Sequence, residues 1–245
     1  MNCYLMAAGR GDRLMPLTEK IPKCLLPVGG RPMLEWWLNA VFASEYFENV
    51  YVNVHHLSKS VIKFVKDYVK KTGFDIIIND ESERLLGTAG TLYWHGASGP
   101  DIMVAYVDTF SSTMFNSLPR IAELWIKAKS FCAAGILVFR SPKDGSGGSV
   151  FYDKLNGNVT GFCEKSTLNT DVEHYWAGIL FADPELLYKY LTQDDFDLAK
   201  DVFPKIVKDG QLKVLSEVDA YDIGRGPQEY ESFKHSFQSS ANHSA

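Results

Sequence analysis

The sequence predicts an α/β three-layer sandwich, with a mixed, mostly parallel sheet, helices on both faces and a small β insertion. Three observations carry that expectation. Short apolar runs alternate with amphipathic, helix-period segments through residue 140, the pattern of successive strand and crossover-helix units. Beyond Pro142 the texture changes to short alternating runs between turn residues, which suits a hairpin. The 245 residues, 46% hydrophobic and 22% charged, can bury a large core without disulfide or metal staples. A single domain over 1–245 follows, with 1–140 as its first part, 141–234 as its second and 235–245 as a polar, frayed tail.

Residues 2–8 are an apolar strand ending in Ala-Ala-Gly, followed by a Gly-, Arg- and Pro-rich connection to residue 32. A connection of that length inside a domain tends to be functional. MLEWWLNAVFASEY has helical periodicity with Pro32 as its first helical residue, and NVYVNVH reads as a buried strand. Ser58 is expected to cap SKSVIKFVKDYVKK, which Gly73 closes. A strand FDIIIN, the loop DESERLLGTAG with a helical stretch after it, and a strand DIMVAYVD follow. A helix over Pro119–Lys129 and the strand FCAAGILVF complete the alternation.

In the second part, Asn156-Gly157 is expected at or near the turn of a hairpin. The strand YWAGILFA, helices PELLYKYL and LAKDVFPKIVKDG, the strand LKVLSEV and a helix from Pro227 close the chain.

Composition excludes several functions. There are 25 basic and 30 acidic residues, a net charge of −5, and the basic ones are scattered, so no nucleic-acid footprint is expected. The apolar runs Phe131–Phe139 and Tyr175–Ala182 hold nine and eight residues, against the roughly 20 a membrane helix requires. No basic region precedes the apolar N-terminus, so no signal peptide is expected and the chain starts in its fold. Cys3, Cys24, Cys132 and Cys163 lack the paired spacing of zinc or redox sites. They read as reduced thiols, which fits the cytoplasm.

The sharpest feature is LMAAGRGDRLMPLTEKIPKCLLPVGGRPML, residues 5–34. A strand opening onto Gly9-x-Gly11-x-Arg13 can offer backbone N–H groups to phosphate oxygens, because glycine permits close approach and positive φ. Arg13 and Lys23 lie in the same connection, and Pro22 fixes the backbone before Lys23. Leu14, Met15 and Pro16 stand where a dinucleotide-binding fold would open a helix and place its third glycine.

This run resembles the signature of the sugar-1-phosphate nucleotidyltransferases, the NDP-sugar pyrophosphorylases. The likeness extends in order over residues 2–234 through Leu86-Gly87-Thr88-Ala89-Gly90, Tyr106-Val107-Asp108, Phe162-Cys163-Glu164-Lys165, Tyr175-Trp176-Ala177-Gly178 and Tyr221-Asp222-Ile223-Gly224. Singly, each could be surface charge or a tight turn. The resemblance implies a Rossmann-like sandwich whose β insertion carries the sugar side. It implies transfer of NMP from an NTP to a sugar 1-phosphate, giving NDP-sugar and pyrophosphate. Arg13 and Lys23 would be catalytic, and Ala8, Gly9, Gly11, Gly87 and Thr88 would bind nucleotide beside them. Gly148, Glu164, Lys165 and Trp176 would bind the sugar phosphate, and Asp108 and Asp222 would hold Mg²⁺.

In look the chain is nearest the mannose and heptose 1-phosphate guanylyltransferases, which favours GTP, with CTP next. The partners implied are NTP and sugar 1-phosphate, and a homo-oligomer is open. Asp12 stands where the family has Ser or Thr, Val107 where it has Gly, and Ser166 where it has Pro. Val107 would add bulk near the ribose, and Asp12 would sit beside the triphosphate. These departures keep open a non-catalytic nucleotide-sugar-sensing homologue and a cytidylyltransferase acting on a phosphorylated non-sugar. His55, His56, Trp36, Trp37 and Trp125 read as capping, surface or core residues.

Overall fold

The structure, a computed structural model, describes residues 1–95, 99–140, 147–164 and 172–242. Among the described residues nine strands form one mixed sheet: β1 Asn2–Met6, β2 Asn49–Val54, β3 Ile77–Asp80, β4 Ile102–Tyr106, β5 Ala134–Phe139, β6 Gly148–Tyr152, β7 Val159–Glu164, β8 His174–Ala182 and β9 Leu212–Glu217. Their main order is β7-β6-β8-β4-β1-β2-β3, with β5 pairing both β8 and β9. The β4-β1-β2-β3 half is parallel, whereas β8 runs antiparallel to β4, β5 and β6. The expected α/β sandwich with its hairpin insertion, β6 and β7, is therefore the fold.

The helices are α1 Met33–Phe42, α2 Ser58–Thr72, α3 Gly87–Trp94, α4 Ser112–Ala128, α5 Pro184–Tyr188, α6 Phe203–Lys208 and α7 Pro227–Asn242. Successive β1 side chains point to opposite faces. Cys3 and Leu5 enter one core with Trp37, Val61, Trp125 and Tyr230 from α1, α2, α4 and α7. Tyr4 and Met6 enter the other with Leu92, Leu187, Phe203 and Ile206 from α3, α5 and α6. These two faces make the three layers.

Several boundaries differ from the sequence reading. Ser58 is the first residue of α2 rather than its cap; Leu57 holds that place at φ 50. Pro32 precedes α1 rather than opening it. Helix α4 begins at Ser112, well before Pro119, because the Ser111 hydroxyl accepts from the Met114 amide and Met114, Phe115 and Leu118 bury against the core. That burial outweighs an interior proline's cost of about 3 kcal/mol. LAKDVFPKIVKDG divides into a π turn, Leu198–Val202, and α6. The connection after β1 is folded into short 3₁₀ turns and a two-strand hairpin, Pro27–Val28 with Arg31–Pro32. Helix α7 runs to Asn242, and within it Phe237 packs edge-on against Trp36 and Phe110.

Parallel register aligns Met6 with Asn53 and with Tyr106 at the carboxyl edge of the sheet. Sites in such sheets form at that edge.

Candidate active site

Two cavities open side by side at this edge. The smaller, about 210 Å³, is lined by Ala8, Gly9, Lys23, Asn53, Gly87 and Thr88; the larger, about 570 Å³, by Arg13, Gly148, Glu164, Trp176, Lys200 and Asp222. Tyr106, Asp108 and Asp197 belong to both walls.

The floor of the smaller cavity rests on a buried polar network that the sequence reading missed. Asn53 Oδ1 accepts from the amides of Ala7 and Ala8, at 2.7 and 3.2 Å. Asn53 Nδ2 donates to Glu81 Oε1 and Thr91 Oγ1, both at 3.0 Å. Glu81, 3% exposed, also accepts from Thr91 Oγ1 at 2.5 Å and from the Leu86 amide at 3.0 Å. Ala8 therefore lines the cavity while its donor is already committed. Among the described residues, nothing accepts from the amides of Gly9, Arg10 and Gly11. Gly11 has φ 72 and its carbonyl accepts from Thr18 Oγ1 at 2.8 Å; a Cβ on Gly9 would project into open space. Free amides beside a positive-φ glycine form the kind of concavity that can take an anion. The signal for the network was an asparagine inside the apolar strand NVYVNV, which a buried site must satisfy.

At the seam between the cavities, Lys23 and Asp108 form an ion pair. The short strands Thr109–Phe110 and Tyr221–Asp222 pair antiparallel, and the Ile223 amide donates to the Asp108 carbonyl at 3.0 Å. That pairing brings Asp222 beside Asp108. Burial, then the Asp108 charge, pushes the Asp222 carboxyl above its ordinary value, opposed by Lys23, the Gly224 amide and Arg13. Two repelling carboxylates with a shared cation suit a hard divalent cation, since Mg²⁺ is usually held by one or two carboxylates plus substrate phosphates. Among the described residues no cluster of three or more His, Cys, Asp or Glu offers an all-protein cage. A Cβ on Gly224 would lie 2.2 Å from Lys23 Nζ, so this glycine makes room for the lysine.

Other predicted residues fall as follows. Arg13 lines the larger cavity near Asp222 rather than the smaller one. Asp12 faces outward and pairs with exposed Arg10 at 3.6 Å, away from both cavities. Val107 is 2% exposed and packed in the core, and it also lines the smaller cavity. Trp176 donates its indole N–H to Ile179 O at 3.0 Å, across an irregularity in β8 where Gly178 takes φ 69. It can therefore offer a ligand only ring surface. A Cβ on Gly148 would meet Phe162 at 2.4 Å and Glu164 Oε2 at 3.1 Å, so that glycine lets the Glu164 carboxylate lie against β6. Lys165 and Ser166 lie outside the described residues. His55 and His56 bond to the carbonyls of Glu81 and Thr18, in structural roles.

The nucleotidyl transferase family pattern matches residues 3–236. The chain is 26% identical to a UTP–glucose-1-phosphate uridylyltransferase of Synechocystis, across 96% of this chain and 63% of that protein. It is 29% identical to a probable mannose-1-phosphate guanylyltransferase of Oryza sativa, across 88% and 58%, and 28% identical to the mannose-1-phosphate guanyltransferase of Schizosaccharomyces pombe, across 94% and 62%. The chain thus spans about three fifths of the length of these relatives. With the family pattern running from β1 into α7 and through every wall of the paired cavities, the chain belongs to the nucleotidyl transferase family.

Proposed function

We propose that the protein transfers NMP from an NTP to a sugar 1-phosphate, releasing pyrophosphate. The observation that carries this is the seam: a small cleft with unused amides adjoins a larger cavity, and Lys23, Asp108 and Asp222 lie where the two meet. The NTP would occupy the smaller cavity, with its phosphates on Gly9–Gly11, and the sugar phosphate the larger one. A phosphate oxygen of the acceptor, already ionised at neutral pH, bonds to the α-phosphorus as the bridging oxygen toward the β-phosphorus departs with pyrophosphate. No general base is needed, and catalysis is positioning and charge neutralisation.

Asp108 and Asp222 would hold Mg²⁺, which supplies charge neutralisation and alignment for the phosphates. Lys23 offers its ammonium group to the α-phosphate as charge builds there, and Arg13 faces the same seam from the acceptor side. Glu164 lines the acceptor cavity as a hydroxyl acceptor, and Trp176 offers ring surface to the sugar. Lys165, next in sequence to Glu164, would hold the sugar phosphate. Thr88 would meet the nucleotide as part of the wall, its hydroxyl oxygen already engaged within the fold.

For the base and sugar we place guanylyl transfer to mannose 1-phosphate first and uridylyl transfer to glucose 1-phosphate second, following the similar proteins. Asn53, the one side-chain amide among the described residues lining the smaller cavity, is committed to the fold, so the base would be read by main-chain groups. All four cysteines are free, and no helix among the described residues is long and apolar enough to cross a membrane. Both support a cytoplasmic enzyme. The test is pyrophosphate release from GTP, UTP, CTP and ATP with mannose, glucose and heptose 1-phosphates and Mg²⁺. Release that requires both substrates is expected. Nucleotide binding without release from any pair would favour the sensing homologue.

A further inference from the structure

Thr88 sits on the first turn of α3, in the wall of the smaller cavity, and its hydroxyl oxygen joins three elements. It accepts from Tyr106 Oη on β4 at 2.9 Å and from the backbone amide of Leu198 at 3.0 Å. Both lone pairs of the hydroxyl are engaged. A second bond runs alongside, from the Ala89 amide to the Phe196 carbonyl at 3.1 Å. The backbones touch there, since a Cβ on Gly87 would fall 2.2 Å from Phe196 O.

The segment held by these bonds is the shared wall. Asp197 lines both cavities, and its carboxylate accepts from the amides of Ala199 and Lys200 at 2.9 and 3.1 Å. Asp201 accepts from the amides of Phe196 and Asp197 at 2.9 and 2.8 Å. Residues 196–201 are thus a locked hook that carries Ala199 and Lys200 into the larger cavity. Tyr106, the other donor to Thr88, stands in both walls with its ring 4.8 Å from that of Trp176.

We propose that Thr88 is a positioning residue that couples the two substrate sites, a step that rests on the function proposed above. A nucleotide seated against Gly87 and Thr88 fixes the first turn of α3. Through the Thr88 oxygen this fixes the hook and Tyr106, and with them the acceptor wall. The acceptor then binds more tightly to the nucleotide complex than to the free protein, and linkage makes the effect reciprocal. A purely structural Thr88 would alter both affinities without altering their dependence on each other.

The test is calorimetric titration of mannose 1-phosphate and of glucose 1-phosphate into the full chain with Mg²⁺, with and without saturating α,β-methylene GTP or UTP. In the wild type the nucleotide should tighten acceptor binding by about 5-fold or more. Thr88→Val, which keeps the shape and loses the acceptor oxygen, should lose most of that factor, and Thr88→Ser should keep it. If the valine variant fails to fold, Thr88→Ala, which relieves any crowding, asks the same question. Equal acceptor affinity with and without nucleotide in the wild type, or an undiminished factor in the variant lacking the hydroxyl, overturns the coupling while leaving the proposed function standing. A wild-type chain that binds no nucleotide overturns both.

Discussion

Lys23 and Asp108, 85 positions apart, meet in an ion pair at the junction of the two cavities, with both side chains largely withdrawn from solvent. The cation assigned to the phosphates and the carboxylate assigned to the metal thus hold each other. Lys23 also lies against Gly224 and offsets the charge of Asp222. This one ammonium group balances both acids of the seam.

Lys23→Met should lower turnover by roughly 10²- to 10³-fold, the usual effect of losing one donor to developing charge. Steady-state pyrophosphate release beside NTP calorimetry would show turnover falling more than affinity. Gly224→Ala should act in the same direction while folding normally, because its Cβ meets only side-chain atoms, the flexible end of Lys23 and the Asp222 carboxylate. Wild-type turnover in both variants would remove Lys23 from the chemistry.

Asp222→Asn should raise the melting temperature near neutral pH while abolishing the response of activity to Mg²⁺. The fold raises the carboxyl's pKa through burial and Asp108. The folded chain therefore holds that proton more tightly than the unfolded chain, and ionisation costs stability as pH rises through the raised value. Asparagine removes that cost and can still accept from the Gly224 amide, now at 2.7 Å. The gain should shrink as pH falls to the ordinary carboxylate range. Melting curves across pH without metal would show it, and a lowered melting temperature at pH 7 would contradict it.

Asn53→Ala should destabilise the fold by about 1–3 kcal/mol for each buried group left without a partner. Those groups are the amides of Ala7 and Ala8; Glu81 loses one donor and keeps the Thr91 hydroxyl and the Leu86 amide. Urea unfolding measures the loss. Nucleotide affinity should fall with it, since the same asparagine sets the path of the chain into Gly9.

Ellman's reagent should find one fast thiol, Cys163, in the native protein and four in denaturant. Cys3, Cys24 and Cys132 are buried and Cys163 is partly exposed. Burial pushes the Cys24 thiol up to about 12 and Cys132 to about 11, with Cys3 higher still. None of the three gains appreciable thiolate as pH rises from 7 to 9. Two or more fast native thiols would show that the core opens.

The sequence by itself determined the layers and the chemistry-bearing loop. The apolar run of residues 2–8 reads as a strand, whose period of two then sends Cys3 and Leu5 to one core and Tyr4 and Met6 to the other, and Gly9, Gly11 and Pro22 mark a constrained loop because their backbone preferences are local. Only tertiary structure decided which polar groups face one another. Asp108 and Asp222 meet because strands Thr109–Phe110 and Tyr221–Asp222 pair, a long-range hydrogen-bonding choice that no local pattern records. Thr88 becomes a junction because α3 abuts Phe196 and Leu198. Pro119 is carried inside α4 because burial of Phe115 outweighs local preference. Local periodicity fixes which way a side chain points, whereas the partner it meets depends on packing between segments far apart in the chain.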